Sequence, residues 1–366
     1  MRFVKTEDLK EGMRLAKPIY NKQGVLLFER DSKISQQSIA SVKNVGLLGL
    51  YVLEPAEPLP PMSKDDLEFE RFQTMVGFSL QEELEKILEI QKQSKTHTIA
   101  NMIIKNFGHL DKKINFYQNL RSREDYVCKH CLNVAILCTM MTHEMNVRLD
   151  EQLATVIAAM VHDIGKLALS PGIVEGDNLT LEQREYLYMS EVNAYDIIEK
   201  SYSDGMMIRR ICAQSQRMLA ELRGGESVGN KTVQGARILA VADAYDTMTA
   251  MKMGAEPTSE IKAIKTILEH PEVFDPAVVK SLCNCINILI PGVSVELNTG
   301  EKAMILRENP DNLLKPMLLT FNDNTVIDLS DEKTYDDIEI VDVMKTMDNR
   351  YVMGTEMVQG KGNVND

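Results

Sequence analysis

The stretch that decides the fold is AAMVHDIGKLAL, residues 158–169. An apolar run ends in the adjacent pair His162 and Asp163, and Gly165 and Lys166 follow at once. Burying an imidazole beside a carboxylate costs free energy unless both groups are paired or bind a metal ion. Taken alone, the pair is explained at least as well by a polar cap or an ion pair at the end of a buried helix. The interpretation therefore depends on finding further ligand types elsewhere in the chain.

The composition narrows the class of protein. The chain has 366 residues, of which 44% are hydrophobic and 26% charged, which is typical of a soluble protein with room for two or more domains. A net charge of −13 argues against general nucleic-acid binding, because that requires cationic neutralisation of phosphates. It allows a small anionic substrate in one locally positive, metal-bearing pocket.

Membrane and export signals are not recognised in the sequence. It has no uncharged apolar run of about 18 residues, so no membrane span is predicted. The first residues, MRFVKTEDLKEGMRLAKP, lack the apolar segment of a signal peptide. We therefore predict a cytoplasmic protein whose six cysteines are reduced thiols.

The beginning of the chain reads as a small α+β module, predicted over residues 1–55. Two strand-like runs, MRLAKPIY and VLLFE, flank the turn sequence NKQG, and a helix is predicted over 31–46 between Asp31 and Gly46. The proline-rich stretch PAEPLPPMSKDD opens a predicted region of linker and connecting helices, residues 56–122.

The middle of the chain has helical periodicity, and residues 123–290 are predicted as an all-helical domain. Helices are expected over 123–145, over 150–164 with Asp150 as N-cap and Gly165 at the end, and over 234–250. After Pro291, short alternating runs predict a small antiparallel β module, residues 291–345, and then a disordered tail, residues 346–366. The fold class predicted is mainly α.

Further ligand types lie on the other helices of this domain. His130 is on the apolar face of the helix 123–145, and Asp243 is flanked by Val241, Ala242 and Ala244. Asp246, one turn later, either supports a ligand or lies at the surface. Imidazole and carboxylate together suit Fe, Mn, Zn or Ni better than Ca. A histidine, a His-Asp pair and an aspartate on three helices would form an octahedral site with room for water.

The order of these segments resembles the HD superfamily of metal-dependent phosphohydrolases, with its pattern H…HD…D, and its HD-GYP subfamily in particular. The similar segments cover roughly residues 120–285 and are EDYVCKHCLNVAILC, VIAAMVHDIGKLALSPGIV, LTLEQREY, ARILAVADAYDTMTA and FDPAVV. The resemblance implies a helical domain that hydrolyses cyclic di-GMP at a site of two or three iron or manganese ions. It implies metal ligands at His130, His162, Asp163 and Asp243, and it places the catalytic residues Asp163 and Lys166 at the scissile phosphate.

Several positions depart from the subfamily. Ser190 stands where a histidine is expected, Ala194 replaces a glycine, and QSQ at Gln214–Gln216 replaces HHE. The glycine-rich loop falls on LAELRG without a match, and residues 252–255 read KMGA. Neutral side chains bind divalent transition metals poorly, so we predict one metal, Fe or Mn rather than Zn, with the second and third metals absent.

The motif CKHC, Cys128 to Cys131, is a candidate for a zinc or redox site. Both cysteines lie inside a predicted helix and no second CxxC follows. We interpret them as structural.

Three functional hypotheses remain open from the sequence. The first is a degenerate HD-GYP protein without ordinary cyclic di-GMP phosphodiesterase activity, acting as a regulatory or binding module. The second is an active one-metal phosphohydrolase, and the third is a scaffold without a ligand. The partners expected are a cyclic dinucleotide or other phosphate ester, a protein partner, or a second copy in a homodimer, but no nucleic acid.

Overall fold

A computed structural model describes residues 2–21, 25–53, 62–169, 179–202, 205–222, 224, 231–252, 256–335 and 337–344. The helices are α1 Gln36–Asn44, α2 Lys64–Ile90, α3 Thr96–Phe107, α4 Tyr126–Glu144, α5 Leu149–Val161, α6 Leu181–Ser201, α7 Gly205–Glu221, α8 Gln234–Thr249, α9 Glu260–Leu268, α10 Pro276–Cys285 and α11 Glu332–Tyr335. The strands are β1 Arg2–Lys5, β2 Arg14–Leu15, β3 Ile19–Tyr20, β4 Leu26–Phe28, β5 Gly49–Leu53, β6 Ser294–Leu297, β7 Lys302–Arg307, β8 Met317–Thr320, β9 Val326–Asp328 and β10 Ile340–Val343. The predicted class, mainly α with a small sheet region at each end, is confirmed.

The N-terminal strands form two small antiparallel sheets, in the order β1-β5-β2 and as the hairpin β3-β4. Helix α1 begins after Ser35, whose hydroxyl accepts from the backbone N–H of Ser38, a normal N-cap. Side chains of these strands and of α1 build a small hydrophobic cluster of their own, and Leu120 packs against it. The predicted linker residues 56–61 and the predicted tail lie outside the described residues.

Helix α4 is the central element of the helical part. It packs against α2, α3, α5, α8 and α10, and its side chains are buried on nearly every face from Val127 to Thr142. A helix that is buried all round belongs to the interior of a bundle. A polar side chain on α4 is therefore removed from solvent and needs partners on the surrounding helices.

Helix α5 ends earlier than predicted. It spans Leu149–Val161, and Arg148 is at the N-cap. The expected cap, Asp150, instead lies in the first turn, where its negative charge interacts favourably with the helix dipole. Gly165 is part of a 3₁₀ turn, Ile164–Ala168, and α6 approaches it closely. A Cβ atom on Gly165 would lie 2.5 Å from the carbonyl oxygen of Ser190.

The C-terminal strands form a five-stranded antiparallel sheet in the order β10-β6-β7-β8-β9. Alternate residues such as Val295, Leu297, Ala303 and Ile305 are buried, and they join the same hydrophobic core as the helices. Lys262 and Lys265 on α9 also pair with Asp342 and Glu339 of the sheet region. This sheet is thus packed onto the helical part, while the domain boundaries themselves remain a prediction.

Candidate metal centre

Three of the four predicted ligands meet in the interior of the helical part. His130 comes from α4, and His162 and Asp163 directly follow α5; all three are buried. One possible ligand atom from each lies within 4.8 Å of the other two. The two Nε2 atoms of the histidines are 3.2 Å apart. His162 keeps helical backbone angles at the C-cap of α5, whereas the backbone of Asp163 departs from helical geometry, and both adjacent side chains reach the cluster.

Asp243 on α8 completes the group that the sequence predicted. Its Oδ1 lies 3.3 Å from His130 Nε2, and its Oδ2 lies 3.6 Å from His162 Nε2. The carboxylate therefore faces the same point as both imidazoles. A metal ion bound by nitrogen and oxygen ligands at about 2.0–2.2 Å fits a group of this size.

Both histidines are oriented by their second nitrogen. His130 Nδ1 lies 2.7 Å from Asp246 Oδ2, and His162 Nδ1 lies 2.8 Å from the carbonyl oxygen of Ala159. An Nδ1–H bonded to an oxygen leaves Nε2 as the ligand atom, as in many protein metal sites. The backbone and Asp246 thus direct both Nε2 atoms towards the cluster.

The protonation of the cluster shows that it attracts positive charge. Burial lowers the pKa of His130, but its hydrogen bonds to Asp243 and Asp246 raise it, to about 9 overall. Burial also lowers the pKa of His162, but Asp163, Cys131 and Asp243 together outweigh this and raise it to about 9. Burial raises the pKa of Asp243, yet the hydrogen bond to His130 and the charges of His130, His162 and Lys166 together bring it well below the ordinary range. Protons on the imidazoles therefore supply the positive charge that the carboxylates require.

Lys166 lies at the edge of this cluster. Its Nζ is 2.7 Å from Asp163 Oδ2 and 3.9 Å from Glu191 Oε1. Burial lowers the pKa of Lys166, but the charges of Asp163 and Glu191 raise it well above its ordinary value. The ammonium is thus a permanent positive charge beside the predicted ligands.

Residues 111–278 match the family model of the HD domain. This part of the chain is similar to HD domains, and residues 111–278 are called the HD domain by that similarity. A cyclic di-GMP phosphodiesterase of Pseudomonas aeruginosa is 22% identical to the chain over 206 residues. The matched region covers 55% of this chain and 49% of that relative, so the chain spans about half the length of the curated protein it matches. The resemblance that the sequence indicated, to an HD-family phosphohydrolase of the HD-GYP kind, is confirmed.

The HD domain also contains residues that support the proposed ligands, of which the sequence indicated only Asp246, and that only as one of two alternatives. Asp246, which was expected either to support a ligand or to lie at the surface, is fully buried. It accepts hydrogen bonds from Arg121 Nη2 at 2.6 Å and from Asn133 Nδ2 at 2.8 Å. Arg121 is itself fully buried, although NLRSRED reads as an exposed polar loop. The only sequence signal is that Asp246 and Asn133 each lie three residues from a predicted ligand.

Three of the residues that depart from the HD-GYP pattern already have hydrogen-bond partners in the protein. Ser190 Oγ donates to the carbonyl oxygen of Gly165 at 2.6 Å. Gln214 Oε1 accepts from the backbone N–H of Val233 at 2.9 Å, and Gln216 Oε1 accepts from the hydroxyl of Tyr195 at 2.7 Å. Residues 223 and 253–255, from the segments LAELRG and KMGA, lie outside the described residues.

The cysteines of the HD domain are free and buried. Burial raises the pKa of Cys128 far above that of an exposed thiol, so this thiol is unreactive at neutral pH. Cys131 Sγ lies 3.9 Å from His162 Nδ1, on the side of the ring away from the cluster. Their placement agrees with the structural role expected from the sequence.

Within the described residues, we find no helix that combines the length and the apolar character needed to cross a membrane.

Proposed function

We propose that the HD domain binds one divalent transition metal through His130, His162, Asp163 and Asp243, and that it hydrolyses a phosphate ester in cyclic dinucleotide signalling. The observation that carries this proposal is the convergence of the buried His130, His162 and Asp163, with the partly buried Asp243 facing both histidine Nε2 atoms. A scaffold has no chemical reason to bury two imidazoles and two carboxylates together.

A metal ion bound here polarises a phosphoryl oxygen and lowers the pKa of a bound water. The residues of the chain supply the rest. Asp246 holds the ring of His130 in one tautomer. Asp163 Oδ2 holds the ammonium of Lys166 beside the ligands, where that charge can neutralise a phosphate oxygen. Asp163 and Lys166 are therefore the two residues to which we assign catalytic roles.

The number and kind of metal follow from the donor atoms. Two imidazoles and two carboxylates suit Fe or Mn, whereas structural zinc sites favour four-coordinate groups rich in cysteine or histidine. A second ion would need its own ligands. Ser190, Gln214 and Gln216 are neutral and already hydrogen-bonded to the protein. We therefore propose a single ion, and with it the loss of the multi-metal reaction of the subfamily.

Metal analysis with a hydrolysis assay tests the proposal. The full-length protein is purified without oxygen, its metal content is measured, and bis(p-nitrophenyl) phosphate and cyclic di-GMP are offered as substrates. We expect one tightly bound Fe or Mn and metal-dependent hydrolysis of at least one substrate, both lost in Asp163→Asn. The matched control is Asp150→Asn, at an exposed aspartate of α5, which should change neither. Protein that binds no metal would overturn the proposal.

The neutral residues at Ser190, Gln214 and Gln216 support a second candidate function, a regulatory module that binds without turnover. Such a module would act by docking a protein partner or a second copy of itself. One metal and saturable binding of cyclic di-GMP, with no hydrolysis of either substrate, would favour this candidate over the first. Each function predicts a distinct result from the same protein sample.

A further inference from the structure

A cavity of about 270 Å³ lies between the N-terminal sheets and the helical part. The hairpin β3-β4 and α1 form one wall, and α2 and the segment 118–129 form the other. Its lining is largely apolar and includes Ile19, Phe28, Val42, Leu47, Phe78 and Leu120. Sites for small molecules are mostly apolar pockets with a few placed polar groups. The volume suits a compact molecule with an apolar body.

The polar groups of the cavity include one carboxylate oxygen that lacks a donor. Glu70 is 8% exposed, and its Oε1 accepts no hydrogen bond within the described part of the chain. Its nearest cation is Lys17 Nζ, at 3.4 Å. Burial raises the pKa of Glu70 above its ordinary value even though the charges of Lys17 and Arg30 lower it. A buried carboxylate oxygen without a hydrogen bond is costly, so this atom favours a ligand that brings a donor.

The two lysines that line the cavity are already engaged. Lys17 Nζ donates to the carbonyl oxygen of Gln118 at 2.9 Å and lies over the rings of Tyr51 and Tyr117. Lys129 Nζ lies 2.6 Å from Asp125 Oδ2. A phosphate would have to break these pairs to obtain a cation, whereas a cationic ligand can donate to Glu70 Oε1, which has the ion pair with Lys17 at 3.4 Å but accepts no hydrogen bond within the described residues.

We propose that this cavity binds a small organic amine with an apolar body, whose ammonium group donates to Glu70 Oε1. The lining carries three carboxylates, at Glu70, Glu124 and Asp125, against the two lysines. That excess of negative charge favours a cation over an anion of the same shape. The apolar body of the ligand then lies between the hairpin and α2.

The cavity is connected to the candidate metal centre by hydrogen bonds. Gln73 lines the cavity, and its Nε2 donates to Asn133 Oδ1 at 2.8 Å. Asn133 Nδ2 donates to Asp246 Oδ1 at 2.8 Å, and Asp246 Oδ2 lies 2.7 Å from His130 Nδ1. An amine at Glu70, one turn before Gln73 on α2, therefore changes the surroundings of His130. The consequence for activity rests on the proposed function, but the binding site does not.

Calorimetric titration of the metal-free, full-length protein tests the site. Tryptamine is the probe and indole-3-acetate is its anionic counterpart with the same ring. We expect tryptamine to bind at least about tenfold more tightly, because a hydrogen bond to a charged group is worth that much. Val45→Trp, at an exposed residue of the lining, should abolish binding, and Glu70→Gln should weaken it about tenfold. Ile90→Trp, equally exposed at the end of α2 but outside the lining, should leave it unchanged.

Three results would overturn the site. They are no binding of tryptamine, tyramine or benzylamine at millimolar concentration, equal binding of tryptamine and indole-3-acetate, and unchanged binding in Val45→Trp. If Glu70→Gln fails to fold, Val45→Trp still decides the question, since its side chain replaces one at the rim rather than in the core.

The hydrogen-bonded connection from the cavity to His130 can be tested separately from binding. With only six histidines in the chain, ¹⁵N-imidazole NMR of the metal-free protein should show the resonance of His130 shifting on saturation with tryptamine. Gln73→Leu should suppress that shift while tryptamine still binds. A His130 resonance that does not respond overturns the connection. Because no metal is added, this result is independent of whether the proposed metal-dependent function is correct.

Discussion

Two adjoining parts of the HD domain satisfy their buried polar groups in different ways. Around His130 and His162, carboxylates face imidazoles and raise the pKa of both. At Ser190 and Gln216, neutral side chains have partners within the protein. A bound cation stabilises the first arrangement, because its positive charge can replace that of protons on the imidazoles and offset the charge of the carboxylates. The second gains little, since neutral hydroxyl and amide oxygens are weak ligands for divalent transition metals.

The largest effect is expected from removing a proposed ligand. Asp163→Ala deletes one of the carboxylates that face His130 and His162, and it releases Lys166 from its 2.7 Å ion pair. Loss of supporting residues alone commonly costs 10–100-fold in metal affinity, so loss of a ligand should cost more than about 100-fold. Titration with Mn²⁺ measures this affinity. Asp163→Ala with unchanged affinity would place the metal elsewhere.

A somewhat smaller effect is expected from replacing Asp246, which contacts the proposed ligand His130 but is not itself a proposed ligand. Asp246→Asn removes the negative charge that orients His130 and pairs with the fully buried Arg121. Metal affinity should fall about 10–100-fold. The free energy of unfolding of the metal-free protein should fall by roughly 3 kcal/mol, since a buried charge loses its partner.

The control for this change lies in the C-terminal sheet. Asp342→Asn breaks a pair with Lys262, whose side chain is half exposed. Such a pair contributes about 1 kcal/mol or less, and Mn²⁺ affinity should not change. Equal destabilisation of the two variants in urea unfolding would contradict the special role given to Asp246.

The pH dependence of the stability of the metal-free protein depends on the same two histidines, His130 and His162. The folded pKa of His130 and of His162 is about 9, against an ordinary value of 6.5. A raised folded pKa stabilises the protein fully below 6.5, and this contribution is lost as pH rises through 9. The Tm of the metal-free protein should therefore fall by several degrees between those two values. His162→Gln should flatten this slope, and His270→Gln, at an exposed histidine, should keep it.

The sequence was sufficient to name the four residues that we propose as ligands, but it left Asp246 open and did not indicate Arg121 or Asn133. Histidine and aspartate inside apolar helices are rare enough to be noticed, so His130, His162, Asp163 and Asp243 could be named in advance. Arg121, in a polar loop, has no such signal, because its burial is decided by tertiary packing. The end of α5 was misplaced since an apolar run continues across the change from α to 3₁₀ geometry.

The C-terminal sheet shows a related limit. Alternating apolar and polar runs predicted a small antiparallel β module there. They could not predict that Val295 and Ile305 would share a core with the helices, because a pattern shows which side is buried and not what covers it. For the same reason, the cavity between α1 and α2 had no counterpart in the sequence.

The smallest effect is expected at Ser190, one of the neutral residues beside the proposed metal centre. Ser190→Ala removes one hydrogen bond to the carbonyl oxygen of Gly165, which should cost about 1 kcal/mol in the free energy of unfolding. Mn²⁺ affinity should stay within about twofold, as no charged group near His162 is altered. Ser190→His should leave the metal content at one, because a single new imidazole does not provide the ligand set of a second ion. A second bound metal in that variant would show that the residues around Ser190 still provide ligands for a second ion, despite their hydrogen bonds within the protein.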